Sequence, residues 1–457
     1  MNRRRIRLGL AILVLTLAAS ARAALPWEEL ELAAGGRVIA VDTGQPGWIC
    51  LGLTFPAGTA HAAEDPVLAA LAPRVLLGSF LEGAPEREPL DAWLSGRGWT
   101  RSSSVEPDGA SICLAGPAAG YEDVLRHLLS RLAAPGRVDQ ADLDRAWREQ
   151  EADWRRLARN PAVALRDAMA ERHFGGHPYR WRQLQARPAG ARPPDLTALR
   201  AWLATRCHAG AAVLLAAGDL EPEAFLRRWQ ADLDRLPGGP APRAGVPALA
   251  APGAGRLERR SPGATPLLIL QFAGPRGDGP LAGTAALAAG VLSQLLREGV
   301  VEAGLAAGAA AAYDYTAPGP QPIEVQVRGF APGDRTLVEE TVARILERVR
   351  QGDFSRFQVI TAKDDIFERL DESTRRGDGP AGAGRGDLMR WCQDLLRQQR
   401  HMPRWRERFE TRLLGTGVEG IAADAASRLR PGAETLGLLM PDQGLDSDRP
   451  LDEGGEP

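Results

Sequence analysis

The 457-residue chain sets 56 Lys and Arg against 58 Asp and Glu, a formal charge of −2, and gathers no basic cluster. That balance excludes the usual nucleic-acid-binding surface, which needs Lys and Arg concentrated on one face or helix. The length exceeds what one hydrophobic core organises, so two domains are expected.

Residues 1–23 read as a secretory signal. Arg3, Arg4, Arg5 and Arg7 precede an apolar run from Leu8 to Ala19, and Ala21-Arg22-Ala23 supplies small residues for cleavage. The apolar run is shorter than the roughly 20 residues of a spanning helix. No later segment is more suitable, so the mature chain is expected to be exported, to the periplasm, without a stable membrane anchor. Taking the five arginines of residues 1–23 from the formal charge of −2 leaves about −7. Residues 442–457, acidic and rich in Gly and Pro, are expected to be a disordered tail.

Along the first half, Gly36 to Thr43 reads as a strand. The stretch from Trp48 to Gly83 follows: an apolar strand (WICLGLTF), a turn carrying acidic residues (PAGTAHAAEDP), then an apolar helix (VLAALAPRVLLGSFLEG). A short helix from Leu90 to Gly98 precedes a strand pair turning at Asp108-Gly109. Helices are predicted from Glu122 to Leu132 and from Gln140 to Arg159. In the second of these, Leu143, Trp147 and Trp154 share one face and read as core. Asn160-Pro161 ends that helix. Another follows, then His173-Phe174-Gly175-Gly176-His177-Pro178-Tyr179, and Ala211 to Asp219 reads as a closing strand.

Residues 237–262, rich in Pro, Gly and Ala, read as an extended linker. Beyond it the pattern returns. PLLILQF, AGPRGDGP and LAGTAALAAGVLSQLLREG occupy Pro266 to Gly299, and Ala285-Ala286-Leu287-Ala288 repeats Ala69-Ala70-Leu71-Ala72. Val291-Leu292 repeats Val75-Leu76, and Glu298-Gly299 repeats Glu82-Gly83, all at one offset. Strand, acidic turn, helix and Glu-Gly in one register indicate a duplicated α+β unit. A strand at Pro322 to Gly329, helices at Asp334 to Gln351 and Phe354 to Leu370, and a final strand at Thr435 to Met440 complete the second half. Arg375 to Gly386 reads as a mobile loop; it lacks the Lys-Ser/Thr and the preceding strand of a phosphate-binding loop.

Cys50, Cys113, Cys207 and Cys392 show no metal-binding spacing. Export permits disulfides, and Cys50 and Cys113 fall in predicted strands; a bridge between them and four free thiols both remain open. Gly58-Thr59 and Gly78-Ser79 lack the G-x-S-x-G context of a nucleophile.

The strand-turn-helix of Trp48 to Gly83, the stretch NPAVALRDAMAERHFGGHPY, the LLREG at 295–299 and the closing VLLAAGDL occur in an order that resembles the M16 metallopeptidases (insulinase, pitrilysin or inverzincin type), bacterial two-domain members above all. The resemblance implies an α+β fold of two homologous domains, 24–236 and 263–441. Each would be a mainly antiparallel sheet covered on one face by helices. Active members carry H-x-x-E-H on the first helix, two zinc-binding His on one helical face with a Glu general base between them. Here the corresponding positions are Ala70, Pro73 and Arg74, and no His, Asp or Glu occurs from Pro66 to Leu81. Pro73 would cost a helix interior about 3 kcal/mol. No metal or other cofactor is therefore expected.

His61-Ala62-Ala63-Glu64-Asp65 resembles the motif with its last His replaced, but lies in the turn. Glu149, Glu151 and Asp153 sit on the helix that supplies the third ligand in active members and read as surface acids. His173 and His177 are split by Gly175-Gly176, and the HPY segment reads as structural. The family's substrate-binding LRExxGLAY pattern is echoed by Leu296-Arg297-Glu298 and Gly304-Leu305-Ala306, which puts Ala307 at the Tyr position. Arg297 is thus a substrate-binding candidate, with Tyr313 or Tyr315 as the substitute aromatic. The resemblance implies a non-catalytic subunit paired with a catalytic M16 chain around a shared peptide chamber. The alternatives are an independent zinc peptidase with rewired ligands and a peptide-binding or assembly protein.

Overall fold

In a computed structural model, the described residues are 26–62, 64–81, 88–181, 188, 190–239, 249, 252–372, 385–399 and 405–442. The signal-like start, the repeated Glu82-Gly83, most of the linker, the glycine-rich loop up to residue 384 and the tail beyond 442 lie outside them. In chain order the first half gives β1 (Trp27–Glu31), β2 (Arg37–Asp42), β3 (Trp48–Phe55), α1 (Pro66–Leu77), α2 (Leu90–Gly96), β4 (Thr100–Val105) and β5 (Ala110–Pro117). It continues through α3 (Tyr121–Ala133), α4 (Gln140–Ala158), α5 (Pro161–Phe174), α6 (Leu196–Arg206), β6 (Val213–Gly218) and α7 (Pro222–Leu233). The second half gives β7 (Gly255–Ser261), β8 (Leu267–Phe272), α8 (Ala282–Leu296), β9 (Ala306–Tyr313), β10 (Ile323–Phe330) and α9 (Arg335–Gln351). After these come α10 (Arg356–Glu372), α11 (Arg385–Gln398), α12 (Trp405–Gly415), α13 (Val418–Arg428) and β11 (Thr435–Pro441).

Two sheets result. The first runs β1-β2-β6-β3-β5-β4 and the second β7-β11-β8-β10-β9. Removing β1 makes them identical strand for strand. The one parallel pair is β2–β6 in the first and β7–β11 in the second, and the other pairs are antiparallel. The duplication seen as a repeated Ala-Ala-Leu-Ala is therefore a duplication of topology.

Chain contacts divide the protein into two compact units, each assembled from three segments. Residues 1–151, 188–246 and 365–403 make the first, and 152–187, 247–364 and 404–457 the second. The division at 237–262 separates the two copies of the repeat along the sequence; the units themselves are interleaved. In the first unit, Cys50, Cys113, Ala115, Leu215 and Ala217 turn to one face of the sheet, where Leu388, Cys392, Leu395 and Leu396 of α11 cover them. Side chains alternate along a strand, so Leu51, Leu53, Ile112 and Leu114 turn to the other face, under α1. In the second unit, Leu267, Ile269 and Leu439 meet Leu165 and Met169 of α5, and the alternate residues face α8 and α9.

Each sheet is thus covered on both faces, and the helix on the far face comes from the other half of the sequence. Two glycines admit those helices. A Cβ on Gly52 of β3 would stand 2.6 Å from Leu396 Cδ1, and one on Gly437 of β11 would stand 2.1 Å from Met169 Sδ. Any larger residue makes Leu396 or Met169 move aside.

All four cysteines are buried free thiols. Gly52, not Cys50, lies opposite Cys113, and diagonal strand neighbours are about 7 Å apart, too far for a disulfide's Cβ–Cβ span. Cys50 instead meets Cys113 and Cys392 as hydrogen-bonded thiols, and burial pushes its ionisation up. Among the described residues no helix is long and apolar enough to cross a membrane.

Candidate functional site

The residues standing where a zinc motif is expected lie on α1. Asp65 caps its start, accepting from the Val67 backbone N–H at 3.2 Å, with Pro66 in the first turn where its missing N–H costs nothing. The acidic end of the His61–Asp65 segment is thereby committed to capping. Almost every other side chain of the helix is apolar and buried, Ala70 and Pro73 included, and Pro73 sits inside an unbroken helix. Arg74 is the exception, near the C-terminus where the helix dipole favours a cation. The last carbonyls, which a helix cannot satisfy itself, are met from outside. Arg145 Nη2 donates to Arg74 O at 2.7 Å, and His127 Nε2 lies 2.5 Å from Leu77 O.

Arg74 also faces α4. Its Nε donates to Gln150 Oε1 at 3.1 Å and its Nη1 to Glu149 Oε2 at 3.4 Å. The other oxygen of Glu149 accepts from Arg101 at 3.0 Å and Arg145 at 2.9 Å. Arg101 additionally pairs with Asp91 at 3.2 Å. Beside them, Ser79 Oγ donates to Asp142 at 2.8 Å, so that hydroxyl is bound to a structural carboxylate. Three guanidiniums thus converge on one carboxylate that is 24% exposed. Burial pushes the Glu149 carboxyl up, but Arg101 and Arg145 outweigh it and hold it below its ordinary value.

This corrects the reading of Glu149 as a surface acid. The available signal was the Arg145–Glu149 pair at i,i+4 on a predicted helix; the approach of Arg74 and Arg101 was not visible. Asp153 pairs with Arg156, one turn on.

A zinc ion does not fit these residues. Ala70 and Pro73 offer no donor atom, and a guanidinium has no lone pair to give. Among the described residues no group of three or more His, Cys, Asp or Glu is arranged to hold a metal. A carboxylate held ionised by Arg101 and Arg145 is a weak base, so the site is poor at activating water. What it can do is hold a hydrogen-bond acceptor such as a carbonyl or carboxylate against partly exposed guanidiniums.

The remaining candidates are scattered. His61 ends a turn of 3₁₀ helix and its Nδ1 accepts from the Gly58 N–H at 3.2 Å. Burial, and then Arg206, lower its ionisation to about 4. His173 Nδ1 contacts Thr435 Oγ1 at 3.2 Å, while His177 Nδ1 accepts from the Tyr179 N–H at 3.2 Å, and both rings are buried. Arg297 opens a π-helical turn after α8; its side chain is 62% exposed and its pair with Glu302 is long, 3.8 Å. Ala307 is exposed on β9. Tyr313 is buried with its hydroxyl donating to Pro275 O at 3.1 Å, and Tyr315 is buried and stacked on Phe409. The placement of both tyrosines favours a role in the core over one beside Arg297.

No family model and no curated protein matches the sequence. Solved structures do. The inactive domain of a peptidase M16 from Pseudomonas fluorescens is 21% identical, covering 91% of this chain and 98% of that one at a TM-score of 0.68. The first half of the periplasmic protease PqqL from Escherichia coli is 14% identical, covering 92% and 93% at 0.69. Against whole PqqL, this chain covers 45% of the length at 0.60. The chain has the M16 peptidase fold.

Proposed function

We propose that the chain is the non-catalytic subunit of an exported M16-type zinc peptidase heterodimer, in which a zinc-bearing partner supplies the chemistry and this chain forms part of the peptide-binding chamber. One observation carries the reading. Where an active member's helix offers two imidazoles, α1 offers Ala70, Pro73 and Arg74, and the Arg74 guanidinium is bound to Glu149 and Gln150. A fixed positive charge stands where a metal cation would be held, so the contact between α1 and α4 persists without metal. Likeness to an inactive M16 domain and to the first half of a periplasmic protease supports pairing with a second M16 domain. That likeness, with the signal-like residues 1–23, supports export. Arg297, exposed and loosely paired, is assigned to a peptide carbonyl or carboxylate.

The test is purification of the exported protein from its host together with any M16 chain that accompanies it, followed by zinc analysis and peptide-cleavage assays. The chain alone is expected to hold no zinc and cleave nothing. The pair is expected to cleave, with Arg297→Ala lowering turnover about tenfold and leaving assembly intact. Recovery only as a monomer or homodimer, with no stimulation of an intact relative, would point to a peptide-binding scaffold. One zinc per chain with activity lost in His61→Ala would point to a rewired enzyme.

A further inference from the structure

One half-buried cation of the first unit has no counter-charge. Arg206 lies in the last turn of α6, where the helix dipole suits a positive group. Its guanidinium is seated over the Trp202 ring, with Cζ 5.5 Å from the centroid. Among the described residues no carboxylate pairs with Arg206 and no acceptor bonds its nitrogens. Burial lowers its ionisation. The neighbouring guanidiniums are provided for: Arg74, Arg101 and Arg145 share Glu149, and Arg131 faces Asp142 at 3.9 Å. A native protein leaves few buried donors without an acceptor, and a partly desolvated charge is stabilised by an opposite one.

The nitrogens of Arg206 are not equally reachable. Nη1 is closed to solvent, whereas Nε and Nη2 stay open. Those two form the side of the guanidinium that matches the two oxygens of a carboxylate. The indole beneath the guanidinium limits its swing, so the fork is oriented before a ligand arrives.

His61 supplies a further donor. Its 3₁₀ turn and α6 both pack on α1, and the Arg206 charge bears on its ring. Because Nδ1 accepts from the Gly58 N–H at 3.2 Å, the neutral ring carries its proton on Nε2. Nε2 is neither hydrogen-bonded nor closed to solvent. Of the two acids that follow, Glu64 is exposed and Asp65 caps α1, and neither pairs with Arg206.

We propose that Arg206, seated on Trp202 and flanked by the Nε2–H of His61, is a binding site for the carboxylate of an acidic peptide. The proposal uses neither Arg297 nor the Arg74–Glu149 network and stands whether or not the chain pairs with a peptidase. Binding is read from the His61 ring signal in proton–carbon NMR spectra of the purified full chain at pH 7, assigned by its loss in His61→Asn. The probes are acetyl-Ala-Glu-Ala-amide, acetyl-Ala-Ala-Ala with a free C-terminus, and neutral acetyl-Ala-Gln-Ala-amide, at constant ionic strength. The signal should move saturably with an acidic probe and at least about tenfold more weakly with the neutral one. A response to the first alone assigns the site to acidic side chains, to the second alone to chain ends, and either supports the proposal. Arg206→Gln, at a part-exposed position, should keep the circular dichroism spectrum and lower affinity at least about tenfold. Arg206→Lys keeps the charge without the fork and should also bind more weakly. No saturable movement with either acid, equal affinity for the neutral probe, or undiminished affinity in either Arg206 variant overturns the proposal.

Discussion

The helix pair α1–α4 of the first unit has a counterpart in α8–α10 of the second, and the two are held by opposite means. Arg74 of α1 reaches Glu149 and Gln150 through a half-buried network of charges. At the repeat's offset Gly290 of α8 replaces Arg74, and a Cβ there would stand 2.8 Å from the Cβ of Ala362 on α10. One copy is joined through charged side chains, the other by close packing with a single amide link, Gln294 Nε2 donating to Gln358 O at 3.1 Å. Among the described residues the second copy folds the same way without three arginines on one carboxylate, so the shared topology does not require that network. A second contrast runs alongside: the first sheet carries an extra strand and the covering helix α7, whereas the second leaves a cavity at the matching corner.

The far-face helices give the strongest way to break the comparison. Replacing Leu388, Leu395 and Leu396 together with Ala strips α11 of core contacts that leave each residue at most 1% exposed. At about 2 kcal/mol per buried leucine the loss exceeds about 5 kcal/mol, comparable to a domain's whole stability. The first unit should show no cooperative thermal transition by circular dichroism; a retained one would mean that α11 is dispensable.

Matched substitutions in the two helix pairs come next. Gly290→Leu should overpack the close-packed pair and cost about 3 kcal/mol. Arg74→Ala should cost about 1–2 kcal/mol, because Glu149 keeps Arg101 and Arg145 while the buried Gln150 loses the Arg74 donor. Urea denaturation of both variants measures the contrast, and equal losses would refute the distinction.

Glu149→Gln should fall between them, at about 2 kcal/mol, by leaving three arginines without their shared counter-charge. Because the folded-state ionisation of Glu149 is depressed, its contribution is present above the ordinary value of 4.5 and fades as pH falls below it. The stability gap between wild type and variant should therefore narrow in acid.

The smallest effect belongs to His61, lowered from 6.5 to about 4. The neutral ring is favoured in the folded state, so its contribution is full above pH 6.5 and is lost as pH falls from 6.5 towards 4. Allowing for its partial exposure, about 1 kcal/mol is at stake. His61→Asn, whose carbonyl oxygen replaces Nδ1 as acceptor for Gly58, should match wild type at pH 7 and flatten the slope below it.

Periodicity and turn chemistry placed β2–β6, β8, β10 and β11 and the helices α1–α5 and α8–α10, but not β1, β9, α6, α7 or α11–α13, nor β7, whose Gly255–Ser261 lies in the stretch read as linker. The constant offset between the two Ala-Ala-Leu-Ala segments announced the duplicated topology. The lack of any metal-ligating side chain from Pro66 to Leu81 was equally plain, because it concerns residue identity alone. These are local properties: alternation reports which face of an element is apolar, and capping residues report where it ends. Neither reports which distant segment covers that face. Only the tertiary structure showed that α11 closes the first sheet and α5 the second, with Gly52 and Gly437 leaving room for Leu396 and Met169. It also turned Glu149 from a surface acid into the centre of an arginine cluster, and put Tyr313 and Tyr315 in the core. Arg74 and Glu149 lie 75 positions apart along the chain, and charges so far separated carry no pairing signal until packing brings them within reach.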